Sequence, residues 1–296
     1  MLIYRQKLLL ALLDVFGGKQ AATDFQKYLF LYTTTCERDK SYDFVPYKFG
    51  CYSFQASVDK LKLVEKGYLK DVDGWELAKD DISYSHALKK GEPQKLELFV
   101  ERFKSLKGKK LIHHVYTKYP YFAINSQIAE TTLNDEEFSS VKNAKPKKRR
   151  KSIVATIGYE GGSVENYLNR LIESDVRILV DVRKNPISRK YGFSKNTLAN
   201  LLSRVGIEYI HIPELGIEST DRKNLNTQND YDRLFDSYER TVLEDQTEAL
   251  NKLIRLYEDK KRIALTCFEK EHVQCHRSRL ANKLVEINGE LEVQHL

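Results

Sequence analysis

The stretch "CFEKEHVQCHRSRL", residues 267–280, sets two of the chain's four cysteines beside a His-Arg pair. Residues of these types suit four chemistries. Cys267, His272, Cys275 and His276 are zinc donors by type, but Cys-x7-Cys-His lacks the short paired spacing of structural zinc sites, so no metal is expected. A nucleophilic Cys275 is the second: positive charge from His276 and Arg277 and a helix dipole would draw its thiol toward thiolate. The loop of several backbone donors that such a nucleophile uses is missing, however. In the third, Cys275 is a small buried residue, and Arg277 and Arg279 hold a phosphate beside the free N–H groups of a helix start. Glu269 would face that anion together with Asp181 or Glu160. Carboxylates next to a phosphate-holding Arg can activate water or stabilise a cationic sugar transition state. The fourth is a polar turn over an inert sheet. The anion site uses most of these residues, and it points to hydrolysis of a nucleotide, a nucleoside or DNA.

Such groups need a scaffold that brings them to one edge. The runs "IVATIGY", "RILVDVR", "IEYIHIP" and "RIALTCF" read as strands. They alternate with helical "SVENYLNRLIESD", "SKNTLANLLSRVG", a long stretch from about Tyr231 to Asp259, and "RSRLANKLVEI". That alternation predicts a Rossmann-like, mainly parallel α/β sheet covered on both faces. Open parallel sheets bind ligands outside the carboxyl ends of their strands. Just past those ends stand Tyr159 and Glu160, then Asp181, Arg183 and Ser188, then His211, and last the segment from Cys267 to Arg277. The catalytic candidates are therefore Glu269, Asp181, Glu160 and Cys275. Tyr159, as a stacking platform, with Arg183, Ser188, His211, His276 and Arg277, are the candidates for substrate and phosphate binding. No cofactor is predicted, although a divalent ion held by Asp181 and Glu269 would leave no spacing signature.

Residues 152–296 closely resemble the domain-of-unknown-function 488 family, on "TIGYEG", "LVDVRKNPISRKYGFSKNTL", "IEYIHIPELG" and "CFEKEHVQCHR" in that order. The resemblance covers the whole second half. It implies a Rossmann-like domain, these candidate residues, and an association with nucleic-acid modification and genome defence. Ile217-Glu218 follows Gly216 where the family often has Gly-Gly or Gly-Arg.

Before "VKNAKPKKRRKS" the texture is helical. Leu8, Leu9, Leu12, Leu13 and Phe16 trace one face of an amphipathic helix that Gly17-Gly18 stop. "KQAATDFQKYLFLYTT" and "SFQASVDKLKLVEKGYL" follow as helices, the latter with Ser53 as N-cap. "YLKD", "VDG" and "WELA" then make a small hairpin, which is the element order of a winged helix. "YDFVPYKFGCYSFQASVDKLKLVEKGYL" and "VYTKYPYFAINS" resemble the Panacea, or SocA-antitoxin-like, domain over roughly residues 5–130. The resemblance implies a winged-helix-like module that binds protein or nucleic acid. Tyr47, Phe49 and Tyr52 are expected in its core.

The expected organisation is a helical domain over 1–138, a basic linker over 139–151 and the α/β domain over 152–296. Net charge is +7 at pI ≈ 9.0. Much of the excess sits in the linker, where Lys147, Lys148, Arg149 and Arg150 suit contact with phosphate backbone, DNA above all. No apolar run approaches the ~20 residues of a membrane span, and so few cysteines in 296 residues make no disulfide framework, which suits a reducing cytoplasm. The expectation is a cytoplasmic, nucleic-acid-directed hydrolase acting on DNA or a modified nucleotide at a glycosidic or phosphodiester bond. The rival expectation is a non-catalytic regulator or antitoxin-like sensor that meets a protein partner through its N-terminal domain.

Overall fold

The computed structural model describes residues 1–79, 83–148, 151–218, 220–222 and 225–296. The chain divides into two compact units, Met1–Lys145 and Pro146–Leu296. No helix among the described residues is long and apolar enough to cross a membrane.

The N-terminal unit is built on helices α1 (Tyr4–Val15), α2 (Ala22–Thr35) and α3 (Phe54–Glu65). Leu8 to Leu13 are all buried, so the middle of α1 is enclosed on every side. It is not the amphipathic surface helix that its pattern suggests, because α2, α3 and α4 (Glu92–Phe103) all pack against it. Gly17 and Gly18, both at positive φ, end α1 by returning their N–H groups to Asp14 O and Leu13 O. Ser53 caps α3 by accepting from the Ala56 N–H. The expected hairpin is present: Leu69 bridges Leu77, and β4 (Trp75–Glu76) also pairs with β1 (Lys19–Gln20). A second hairpin, β2 (Val45–Tyr47) with β3 (Gly50–Tyr52), precedes α3. It leaves Phe49 at its tip 47% exposed, against the expectation of a core position. Three further helices, α5 (Lys109–Lys118), α6 (Ala129–Thr132) and α7 (Asp135–Ala144), complete the unit. Helix α7 runs into the stretch expected as linker, and its Val141 is buried. The solvated basic segment therefore begins only after Ala144. Lys147 and Lys148 are exposed; Arg149 and Arg150 lie outside the described residues.

The C-terminal unit contains β5 (Ile153–Gly158), α8 (Val164–Glu173), β6 (Ile178–Asp181), α9 (Lys195–Arg204), β7 (Glu208–His211), α10 (Gln228–Tyr238), α11 (Thr247–Lys260), β8 (Arg262–Cys267), α12 (His276–Ile287) and β9 (Val293–His295). Its five strands form one all-parallel sheet in the order β7-β6-β8-β5-β9. The three central strands are buried along their whole length, as a sheet covered on both faces requires. Side chains alternate between the faces. Val154, Ile178, Val180, Ile263 and Leu265 pack with residues of α10, α11 and α12. Thr266 points the other way and accepts from Tyr167 of α8 at 2.8 Å. The long helix expected from Tyr231 to Asp259 is interrupted by a π-helical stretch, Glu239–Leu243, between α10 and α11.

Candidate functional site

All the sheet's carboxyl ends point to one edge, where a cavity of about 330 Å³ opens. Its lining includes Arg183, Lys184, Arg189, Arg222, Cys267 and Phe268. The volume lies at the small end of the range for ligand sites, roughly 300–1,000 Å³.

One wall is a buried ionic node at the end of β6. Asp181 is fully buried and grips Arg183 in a fork, Nε to Oδ1 at 2.8 Å and Nη2 to Oδ2 at 2.5 Å. Tyr209 donates to the same Oδ2 at 2.7 Å. The other terminal nitrogen of Arg183 donates to the Tyr159 hydroxyl at 2.8 Å and to Phe193 O at 2.9 Å. Burial raises the Tyr209 hydroxyl, and the Asp181 charge raises it further. Every polar atom of this node has a partner, so Asp181 positions Arg183 and is not a free acid or base.

The other wall descends from β8 and the start of α12. Gly158 ends β5 directly beneath the turn after β8: a Cβ there would lie 1.8 Å from Glu269 O, so only glycine lets the two backbones cross. Arg277, 1% exposed, holds that turn from below by donating to Glu269 O at 2.6 Å and Lys270 O at 3.0 Å. His276 is fully buried, and its Nε2 donates to Val182 O at 3.1 Å. Nδ1 is thereby left as the acceptor, 3.7 Å from Cys267 Sγ and 3.8 Å from Cys275 Sγ. Arg222 closes the cluster. It pairs with Glu269, and its Nη2 donates to His276 Nδ1 at 2.8 Å and lies 3.8 Å from Cys267 Sγ. Burial alone would raise the Cys267 thiol, but hydrogen bonding from Cys275 and the nearby His276 and Arg222 draw it well below the usual thiol range. Burial and the Cys267 charge push Cys275 the opposite way. Glu269 is raised by burial and by Cys267, against the opposing pull of Arg222.

The candidates from the sequence thus separate. Arg183, Ser188 and Tyr159 line the cavity, and Glu269 reaches its rim through Arg222. Tyr159 is 4% exposed and already stacked on Phe193 at 4.3 Å, so it offers no free face. Arg277, expected to hold phosphate, is committed to two carbonyls, and Arg279 pairs with Asp232 and Glu239. Cys275 is buried at the helix N-cap, as the anion-site reading has it and as a thiol nucleophile would not be, and it is Cys267 that faces the cavity. Glu160 is exposed and accepts from the Lys270 N–H; His211 donates from Nε2 to Arg183 O and contacts Lys195. Neither lines the cavity. Arg222 and Phe268 are not among the candidates from the sequence, and Cys267 is there only as a zinc donor. Phe268 and Cys267 follow an obvious strand, and their position on the cavity side was open to inference. Arg222 stands in a polar stretch with no periodicity.

No curated protein and no solved structure matches the chain. Residues 163–284, from the N-cap of α8 into α12, match the family described as "Domain of unknown function DUF488".

Proposed function

We propose that the C-terminal unit binds a phosphate-bearing ligand, a nucleotide or a nucleic-acid segment, and hydrolyses it at the edge of the sheet. The observation that carries this reading is the lining of the cavity, which holds Arg183, Lys184, Arg189 and Arg222 and, among the described residues, no carboxylate. Because Arg183 is locked onto the fully buried Asp181, the phosphate holders are Arg189 together with Lys184 and Arg222, whose partners Glu218 and Glu269 keep some exposure. Phe268, 45% exposed, takes the stacking role expected of Tyr159. Glu269 is the acid/base group: of the two candidate carboxylates that touch a lining side chain, Asp181 is locked between Arg183 and the Tyr209 hydroxyl, whereas Glu269 meets Arg222 at the rim.

In this reading the N-terminal unit is a Panacea-like, winged-helix-like module that recruits nucleic acid or a protein partner. The exposed Lys147 and Lys148 add a salt-sensitive backbone contact. DNA is the favoured polymer, the cytoplasm the expected location, and genome defence or DNA modification the setting that the family resemblance implies. The test is mass spectrometry of products after incubation with plain and base-modified DNA, beside Glu269→Gln. Released base or sugar that the variant fails to produce supports glycosidic hydrolysis; cut strands support phosphodiester hydrolysis. Nucleotide binding that Arg189→Ala abolishes, without turnover in the parent protein, leaves a ligand-binding regulator and sinks the enzyme.

A further inference from the structure

We propose that Cys267, Cys275 and His276 form a zinc-class metal site beside the cavity. All three are buried, at 2%, 1% and 0% exposure, and their donor atoms lie within 4.8 Å of one another. With Zn–S ≈ 2.3 Å and Zn–N ≈ 2.0–2.1 Å, tetrahedral coordination places sulfur and nitrogen about 3.6 Å apart. The two Sγ···Nδ1 separations, 3.7 and 3.8 Å, are close to that figure.

The outer contacts are also those of a ligand set. His276 Nε2 donates to Val182 O, which fixes the tautomer and aims the Nδ1 lone pair at the two sulfurs. Cys267 comes from the end of the central strand β8, and Cys275 and His276 from the N-cap and first residue of α12, so all three donors ride on rigid elements. Although Cys-x7-Cys-His lacks the short paired spacing, the turn from β8 into α12 brings the three donors together. Arg222 now fills the cation's place, with Nη2 at 2.8 Å from Nδ1. It must leave Nδ1 for a metal to enter, and its pairing with Glu269 offers it a resting place at the rim.

Three protein ligands leave a fourth position, beside the cavity that Cys267 lines. Water held there would supply a nucleophile at neutral pH. That last consequence rests on the hydrolytic reading above; the metal site itself does not.

The full chain, purified without added metal and then loaded with zinc, is analysed for metal content. Cobalt is substituted in parallel and its absorption recorded. The expected result is one zinc per chain and a cobalt spectrum with thiolate charge-transfer and intense tetrahedral ligand-field bands. The Cys36→Ser/Cys51→Ser double variant keeps both. Cys267→Ser and Cys275→Ser weaken zinc by more than the ~10–100-fold that loss of an outer partner costs, and Arg222→Ala does not weaken it. No zinc above background in the wild-type chain, a cobalt spectrum without thiolate bands, or a Cys267–Cys275 disulfide that persists under mild reduction would each overturn the site. None of those readings requires a variant to fold. Zinc bound without any hydrolysis sinks the proposed function and leaves the metal site standing.

Discussion

Asp181→Asn separates a positioning carboxylate from a catalytic one. Asp181 has no exposed surface, and its partner Arg183 is 6% exposed at the side chain. The substitution keeps the shape but removes the charge that two Arg183 nitrogens and the Tyr209 hydroxyl approach at 2.5–2.8 Å. Breaking a buried pair from one side costs about 3–5 kcal/mol, because the remaining ion stays desolvated and uncompensated. The retained amide oxygen still accepts one bond, which places the expected cost at the lower end, about 3 kcal/mol. For a unit of this size that is a fall in Tm of about 6–12 °C. The chain's single tryptophan, Trp75, belongs to the N-terminal unit, so its fluorescence reports the wrong half. Amide exchange across β6 and β8 during urea unfolding reads the correct one. The double variant Asp181→Asn/Arg183→Met should regain most of the loss, since it removes both charges together. If Asp181→Asn unfolds within ~0.5 kcal/mol of the parent and abolishes turnover while the cavity still binds ligand, Asp181 is chemical and the positioning argument is refuted.

Three further outcomes follow from the same geometry. Gly158→Ala forces a methyl to within 1.8 Å of Glu269 O; destabilisation at or above the top of the usual ~1–3 kcal/mol for overpacking is expected, and a thermal scan that finds none would disprove the crossing. Arg277→Met strips two carbonyls of a charged donor, at ~1.5–3 kcal/mol each, and should leave nucleotide affinity to calorimetry almost unchanged; the reverse pattern would restore Arg277 as the phosphate holder. Asp230 is held down at about 2 by the Thr227 hydroxyl, backbone N–H groups and Arg233 in the capping box of α10. A depressed carboxylate contributes stability above its unfolded value, ~3.9, and loses it as pH falls toward its folded one. Acid melting curves of Asp230→Asn should therefore lose the pH dependence that the parent shows between those limits, and identical slopes would contradict the cap.

The sheet was legible in the sequence because its central strands are short apolar runs buried on both faces, and nothing but a covered parallel sheet tolerates three of them alternating with helices. The residues that end those runs were legible for the same reason: Asp181, Arg183 and Glu269 had to reach one edge. Their roles were not, because a carboxylate in a sequence looks the same whether it faces substrate or is locked onto an arginine two residues away. The order β7-β6-β8-β5-β9 sets β8 between β6 and β5, and this juxtaposition decides the chemistry. The turn from β8 brings Cys267 up against the helix start that holds Cys275 and His276, and the strand order lets Val182 O fix the imidazole. It also buries Arg277 beneath the Glu269 turn, since Gly158 lets that turn pass so closely. Arg222 reaches the cluster from a polar stretch 45 residues before Cys267, a distance only the tertiary fold could close. Local pattern thus determined which atoms could react, and long-range packing decided which of them are free to do so.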